Sequence, residues 1–415
     1  MANEVMNELK KGASSFKLIG KMVITPNTFK MESKSSTGYI SNKMYVGVNC
    51  GKGNTVYAQM FGGYSDSGSA SKLYLHGKQA DPNNTRRDID DYSNQFEIAW
   101  NDRFNIDVLN ECGPSCFVQV ALEKDTDGNL QTQKFLSSYD AIRYIKDVTD
   151  KMSAEDKDKL IVNVSGSIEY RYYEGKTSYQ KTINSIKLID ATEENFTASF
   201  TQTIFVDKDC IGKADMERKV LPLNVKVAEY VGKYKGEEIK ETVPLEVEME
   251  LDATAKIAPW LANNIKKSSG YAKAVILGNF VESGSTEAFD ITTLPAEVQQ
   301  LIADGVLNKE DVQRTVASGN QRQQILSINA IKTAIDENKN ISAAFEASAY
   351  TSKEIDNIYN SFMSKVKAID NGNKPASQET NAEAVPVDSA DEVPFDVGAN
   401  TDANLDSMDW MKNFQ

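Results

Sequence analysis

The sequence predicts a mainly β fold with α-helix: two OB-like β-barrel units followed by a small helical region and a disordered acidic tail. The first supporting observation is a strict alternation of aliphatic and other residues along 39–64, interrupted by Gly51 and Gly53. This pattern is typical of two half-buried strands joined by a tight turn. Second, strand-like runs recur in two successive groups, which suits small closed or nearly closed barrels. Third, the apolar residues take up helical spacing beyond 294, and the composition becomes polar and acidic beyond 369. β-Sandwiches suit the same strands and stay open as an alternative.

The expected domain organisation follows from these changes in residue spacing and composition. A lead-in is expected over 1–15, an OB-like domain with a helix near its end over 16–153, a second OB-like domain over 158–285, a helical region over 290–370 and a disordered acidic tail over 371–415. Ser137 or Ser138 can cap the helix of the first domain. In the helical region, 323–335 and 352–369 are expected to be helices. The polar stretch 83–91, which contains Arg86 and Arg87, is expected to be a long loop.

Charge is distributed unevenly over the 415 residues, whose net charge is −14. Residues 1–80 contain ten lysines against four acidic residues, a balance of +6, whereas 371–415 contain two lysines against nine acidic residues, a balance of −7. The acidic middle of the chain offers no general attraction for phosphate. Any nucleic-acid site must therefore be local and is expected near the basic start.

Few residues suit catalysis. His76 is the one histidine, so histidine triads and most metallohydrolase sites lack parts, and there is no phosphate-binding loop motif. Four cysteines in a chain of this length do not form a disulfide framework, and a four-thiolate zinc site would require folding to gather all of them. Acid pairs such as Asp90-Asp91 leave a metal-dependent nuclease as a weak alternative. We expect a non-enzymatic protein with no cofactor and no metal.

The distribution of apolar residues along the sequence predicts the cellular compartment. Its first residues have no apolar signal core, and no run has the length of a transmembrane helix. We therefore expect a cytoplasmic protein that does not contact a membrane.

The alternation along 39–64 has a functional consequence. The aliphatic residues must point into the core, so the odd positions should share an outer face with exposed rings beside lysines. Such a face can stack the bases of a single-stranded nucleic acid, although a second layer or a partner subunit could instead cover it. The rings expected to stack bases are Tyr39, Tyr45, Tyr57, Phe61 and Tyr74. The cations expected to contact phosphates are Lys17, Lys21, Lys43, Lys52, Lys72, Arg86, Arg87 and Arg103. Tyr170, Arg171, Tyr172 and Tyr179 could extend the path.

The tail carries large apolar side chains inside an acidic segment. Such a segment can dock its rings in an apolar pocket while its carboxylates meet surrounding cations. It could also lie across the basic face of its own chain and compete with nucleic acid, or serve solubility alone. The residues expected to bind a protein partner are Phe395, Trp410, Met411 and Phe414.

These features resemble those of a known family. An acidic tail with apolar residues behind OB-type units resembles the tails of bacterial and phage single-stranded DNA-binding proteins. Residues 391–395 are similar to the acidic Pro-Phe tip of the bacterial family, and the final Phe414-Gln415 is closer to the aromatic-ended tails of phage versions. Residues 134–145 and 162–166 also resemble OB-fold proteins encoded by tailed phages.

The resemblance implies sequence-tolerant binding of single-stranded DNA in phage DNA replication, recombination or repair, with the tail recruiting replication or recombination proteins. Homo-oligomers could form, and if a phage encodes the chain, the expected cytoplasm is the bacterial host cytoplasm. The alternative is a phage structural or assembly protein whose β domains make protein–protein contacts.

Overall fold

The computed structural model describes residues 9–51, 53–66, 71–82, 84–283, 295–303, 323–336 and 340–372. Two compact units divide them: residues 14–171 with 178–200 form the first unit, and the rest of the described chain forms the second unit. Strands make up 55% of the structure, which confirms the mainly β class. Among the described residues, no helix is long and apolar enough to cross a bilayer.

The first unit contains a closed barrel, a two-stranded arm and three short helices. Its strands are β1 (Ser14–Val23), β2 (Phe29–Lys34), β3 (Tyr39–Asn49), β4 (Thr55–Ser65), β5 (Lys72–Asp81), β6 (Asn84–Ala99), β7 (Val118–Lys124), β8 (Leu130–Phe135), β9 (Ile161–Tyr173) and β10 (Lys176–Leu188). Its helices are α1 (Ile106–Glu111), α2 (Ser138–Lys151) and α3 (Ala154–Asp158). The turn between β9 and β10, residues 172–177, is grouped with the second unit.

Five strands close the barrel in the order β1–β3–β4–β10–β9 and back to β1. Neighbours β1, β3 and β4 are antiparallel, whereas β10 runs parallel to β4, with Thr182 opposite Gln59. Helix α2 lies in the chain between the third and fourth of these strands, and Ser137 caps it as expected. A closed ring leaves no edge strand unpaired, and this arrangement is of the OB type. The barrel is therefore confirmed and the sandwich alternative is set aside.

The division between the two units differs from the expected boundary at 153–158. β9 and β10, assigned from the sequence to the second domain, complete the first barrel, where Ser167 pairs with Ser15. Alternation identifies a strand from its own residues, but the partner of that strand is chosen by contacts far away in the chain. The stretch 83–91 also differs from the expected loop, because residues 84–91 belong to β6, which pairs with β5 as the second strand of the arm.

The second unit repeats the same pairing order. Its strands are β11 (Thr197–Val206), which begins in the first unit, β12 (Val220–Tyr234), β13 (Glu237–Asp252), β14 (Tyr271–Ser283), β15 (Gln323–Ile331), β16 (Thr333–Ile335), β17 (Ile341–Ala343) and β18 (Phe345–Tyr350). Its helices are α4 (Ala258–Lys267), α5 (Ala296–Ala303) and α6 (Ser352–Asp370). Pairing runs β11–β12–β13–β15–β14 and returns to β11, with β15 parallel to β13 and α4 between the third and fourth strands.

The expected helical region over 290–370 is only partly helical. Helix α6 occupies nearly the expected residues, but the helix expected over 323–335 is wrong: β15 and β16 lie there. β15 is hydrogen-bonded on both sides, and Leu326 and Ile328 are buried in the unit. The spacing of a short apolar run cannot distinguish such a buried strand from a helix.

The β3–β4 hairpin is held by its inner face and by α2. Met44, Val46, Val48, Val56 and Met60 are at most 1% exposed, and burying each contributes about 1.5–3 kcal/mol. The inward alternation read from the sequence is therefore confirmed. The opposite side of the hairpin is left to face away from the barrel interior.

Buried Asn42 joins the hairpin to two neighbouring elements. Its Nδ2 donates to the backbone oxygen of Tyr139 in α2 at 3.0 Å, and its Oδ1 accepts from the backbone nitrogen of Glu32 in β2 at 2.8 Å. Both β2 and α2 are thereby fixed relative to β3.

Candidate nucleic-acid interface

The outer face of the β3–β4 hairpin, named here the aromatic face, consists of the odd positions of 39–49 and 55–65. Tyr45, Tyr57 and Phe61 are 50%, 47% and 49% exposed, and Tyr39 is partly buried. Within the described chain, no second layer covers these three rings. The face is the strand-2 and strand-3 surface of the barrel, which in OB folds binds oligonucleotides or oligosaccharides.

The rings form two stacked pairs. Tyr45 and Tyr57 lie nearly parallel, with ring centroids 5.2 Å apart and planes 7° apart, whereas Tyr39 and Phe61 are 6.4 Å and 29° apart. Two glycines allow the rings to lie close to the sheet: a Cβ atom on Gly47 would sit 3.1 Å from Cε1 of Tyr57, and one on Gly63 would sit 2.7 Å from Cε1 of Tyr39. The pairs therefore present flat π-surfaces along the hairpin.

Burial, with a smaller contribution from Tyr57, raises the pKa of Tyr45 above its usual value, and burial also raises the pKa of Tyr39. Both hydroxyls are consequently neutral at physiological pH. Neutral rings add no repulsion toward a polyanion.

Lysines accompany the rings on this surface. Lys43 lies between the two pairs, and Lys17 is exposed on β1; neither has an ion pair within the described part of the chain. Lys21, also on β1, approaches Asp158 at 3.2 Å, but both side chains are well exposed, so water and salt weaken that pair. Lys52 lies outside the described residues.

The residues that neighbour the aromatic face on the β10 side of β4 are less basic. Gln59 donates to Gln180 on β10 at 2.6 Å, and Gln180 donates to Glu169 on β9 at 2.7 Å. The positive side of the aromatic face is therefore the side of β1 and β2.

Four of the expected site residues lie on the arm formed by β5 and β6. Tyr74 is 77% exposed, and Arg86 is exposed with no ion pair among the described residues. Lys72 is paired with Glu97, and Arg87 with the buried Asp81 at 2.5 Å. The arm is a separate two-stranded sheet, so these residues are not part of the aromatic face itself.

Arg103 is held within the fold. Its Nε and Nη2 donate to the carboxylate of Asp140 at 2.7 and 3.2 Å, both side chains are largely buried, and the guanidinium lies over the rings of Trp100 and Phe104 at 4.1 and 4.4 Å. A guanidinium engaged in this way has little capacity left for phosphate. Of the suggested extension, Tyr170 is only 4% exposed and cannot stack a base.

Sequence reasoning missed Lys30. It lies on β2 directly opposite Lys43, on the same face as the rings. The β2–β3 register contains an irregularity between Lys30 and Ser33, where Glu32 has a positive φ of 49°. Alternation alone could not have given this pairing; the one available signal was the lysine content of the first 80 residues.

The corresponding hairpin of the second unit, β12–β13, has a different surface. Lys226 is 7% exposed, pairs with Glu246 at 3.0 Å and lies under the ring of Tyr359 from α6 at 4.6 Å. Helix α6 also pairs Lys365 with Glu241. This hairpin is acidic and partly covered by the helix, and it presents no stacked ring pair among the described residues.

The polar cluster around His76 lacks the geometry of a catalytic relay. Asp90 Oδ1 and Ser115 Oγ both approach Nε2 of His76, at 2.9 and 3.1 Å. A relay needs the carboxylate and the hydroxyl at opposite ring nitrogens.

Three of the four cysteines are buried thiols rather than reactive ones. Burial raises the pKa of Cys50, Cys112 and Cys210 to about 12, so these thiols are neutral. Across the described ranges, no three His, Cys, Asp or Glu side chains are grouped to hold a metal ion. The tail residues Phe395, Trp410, Met411 and Phe414 lie outside the described residues.

Comparison with known proteins gives little. No family model and no curated protein matches the chain. Two crystal structures of the single-stranded DNA-binding protein from Thermus aquaticus, wild type and a deletion mutant, are similar at 11% identity and a TM-score of 0.25. They cover 66% of this chain and 87% or 88% of their own. Similarity at this level supports no conclusion about function.

Proposed function

We propose that this chain binds single-stranded DNA without reading its sequence. The observation that supports this proposal is the aromatic face: two stacked, half-exposed ring pairs with Lys43, which has no ion pair among the described residues, between them. Every base has a π-face, so stacking is tolerant of sequence and contributes about 1–3 kcal/mol per base. Rings on an open sheet surface suit unpaired bases, because bases within a duplex are already stacked on one another.

The first unit is the proposed binding unit, and the second unit is not. The two barrels share one strand order, but among the described residues only the first presents stacked, half-exposed ring pairs on its strand-2 and strand-3 face. The acidic β12–β13 hairpin would repel phosphates. We accordingly expect a short site per chain despite the two OB-type units.

The proposed role is in phage DNA replication, recombination or repair in the host cytoplasm. The chain acts by binding alone, without catalysis, and its acidic tail recruits partner proteins through Phe395, Trp410, Met411 and Phe414. The support is the charge pattern of the sequence: a basic first 80 residues and an acidic, aromatic-containing end.

A titration tests the binding proposal. Fluorescence anisotropy of labelled oligothymidine and of duplex DNA is measured at low salt with wild type, with the double variant Tyr45→Ala/Tyr57→Ala and with Tyr230→Ala. Tyr230 is a matched control, since it is 56% exposed but lies on the second unit. Loss of one stacking position, about 1–3 kcal/mol, weakens binding roughly 5- to 150-fold.

Wild type is expected to prefer the single strand, the double variant to bind it more weakly by that factor, and Tyr230→Ala to bind as wild type does. Absence of oligothymidine binding at low salt, even with residues 371–415 removed, would refute DNA coating. That result would favour the alternative of a structural or assembly protein.

A further inference from the structure

Two lysines face each other across neighbouring strands beside the rings. Lys30 on β2 is directly opposite Lys43 on β3, and Lys43 is directly opposite Phe61 on β4. A single row across three strands therefore reads lysine, lysine, aromatic ring. Tyr45 follows two residues after Lys43 on the same face, so Lys43 lies between the two ring pairs and Lys30 lies beside it on β2.

This pair is unfavourable for the fold by itself. Like charges directly opposite on antiparallel strands destabilise a sheet, and neither ammonium group has an acidic partner within the described ranges. The nearest acid on β2, Glu32, is turned elsewhere: it pairs with Arg143 and accepts from the Tyr139 hydroxyl at 3.3 Å. The one carboxylate within β2 therefore does not neutralise the lysines.

We propose that Lys30 and Lys43 together bind one phosphodiester group that links two stacked bases. This inference rests on the proposed function and specifies how the strand lies. A phosphodiester carries a single negative charge and accepts hydrogen bonds at its two free oxygens, so it relieves the repulsion between two opposed ammonium groups. The adjoining bases then stack on Tyr45–Tyr57 on one side and on Tyr39–Phe61 on the other.

The same geometry orients the sugar–phosphate backbone. Lys30 lies on the β2 side of the rings, opposite Lys43, whereas Gln180 and Glu169 lie beyond β4 and are hydrogen-bonded in series to Gln59 of β4. A carboxylate at that end disfavours phosphate. The backbone accordingly runs along the β2 side, with the bases directed over β3 and β4.

The salt dependence of binding tests the lysine pair. Oligothymidine affinity is measured over a range of salt for wild type, Lys30→Ala, Lys43→Ala and the double variant. Lys34→Ala is the matched control, since Lys34 is the next exposed lysine on β2 but is paired with Asp66 at 2.5 Å. Each phosphate contact to a single strand contributes about 0.7 to the slope of log K against log salt.

Because both lysines hold one phosphate, each single variant and the double variant should lower the slope by the same amount, about 0.7. Lys34→Ala should leave the slope unchanged. Thermal unfolding distinguishes loss of the phosphate contact from damage to the fold. The Lys30→Ala variant should have a Tm no lower than that of wild type, because the change removes a repulsion.

A wild-type slope and affinity for Lys30→Ala would overturn the shared site while leaving DNA binding intact. Losses of slope that add in the double variant would also overturn it, since they indicate two separate phosphates. Absence of oligothymidine binding by wild type would overturn the proposed function together with this inference.

Discussion

Replacement of Asn42 by alanine tests how the fold positions the interface. The side chain is 0% exposed and makes two hydrogen bonds, to the Tyr139 carbonyl at 3.0 Å and from the Glu32 backbone nitrogen at 2.8 Å. The change leaves the Glu32 donor without its acceptor and removes one donor from the Tyr139 carbonyl. Each buried group left unsatisfied costs about 1–3 kcal/mol, so a loss of about 2–4 kcal/mol in the free energy of unfolding is expected.

Function should respond to the same change. Asn42 fixes the irregularity of β2 at Glu32, and that irregularity sets Lys30 opposite Lys43. A loosened β2 weakens the phosphate contact, so the salt slope of Asn42→Ala should move toward that of Lys30→Ala. The single-strand affinity should fall with it.

Urea unfolding followed by tryptophan fluorescence measures the stability term, because Trp100 packs against Tyr139 at 5.9 Å. Asn129→Ala is the control: Asn129 is an exposed turn residue, and its replacement should stay within about 0.5 kcal/mol of wild type. A loss below about 1 kcal/mol for Asn42→Ala would refute the argument that these two buried bonds hold β2 and α2 to the hairpin.

Three further outcomes are expected. Burial lowers the pKa of Lys181 to about 7, whereas the unfolded side chain keeps its proton to about pH 10.4, so the unfolded state binds more protons between these values. The free energy of unfolding should therefore rise from pH 7 to pH 10, by a few kcal/mol at most. Urea unfolding at several pH values should show this rise for wild type and no such rise for Lys181→Met. Arg103→Ala leaves the Asp140 carboxylate buried and unpaired and should cost about 3–5 kcal/mol in urea unfolding, whereas Arg86→Ala should leave stability unchanged. Phe362→Ala removes a fully buried ring of α6 and should lower the stability of the second unit by about 3–5 kcal/mol, which hydrogen exchange in that unit measures. Oligothymidine binding by the first unit should be unchanged.

The aromatic face could be predicted because it depends on a local property of the chain. Successive residues of a strand point to opposite sides, so the alternation of Met44, Val46 and Val48 with Tyr45 already separated the buried from the exposed side chains. The glycines at the turn and the serine before α2 are likewise local signals. Whether these rings bind DNA stays a prediction.

The sequence could not reveal which cations are available. Lys17 and Lys43 are unpaired in the described structure, but Arg103 is bound to Asp140, a residue 37 positions away in the chain. Arg87 is similarly bound to Asp81. Charge counts report how many cations a segment contains, whereas ion pairing depends on which acids the fold brings near each one.

The sequence by itself determined the mainly β class, the hairpin over 39–64 and the helices near 138–151 and 352–369, because each is encoded in the spacing of neighbouring residues. Only the tertiary structure decided that β9 and β10 close the first barrel, that 323–331 is a strand and that Lys30 faces Lys43. These outcomes depend on contacts between residues distant in the chain, which set strand partners and register and leave no periodic trace in either partner alone.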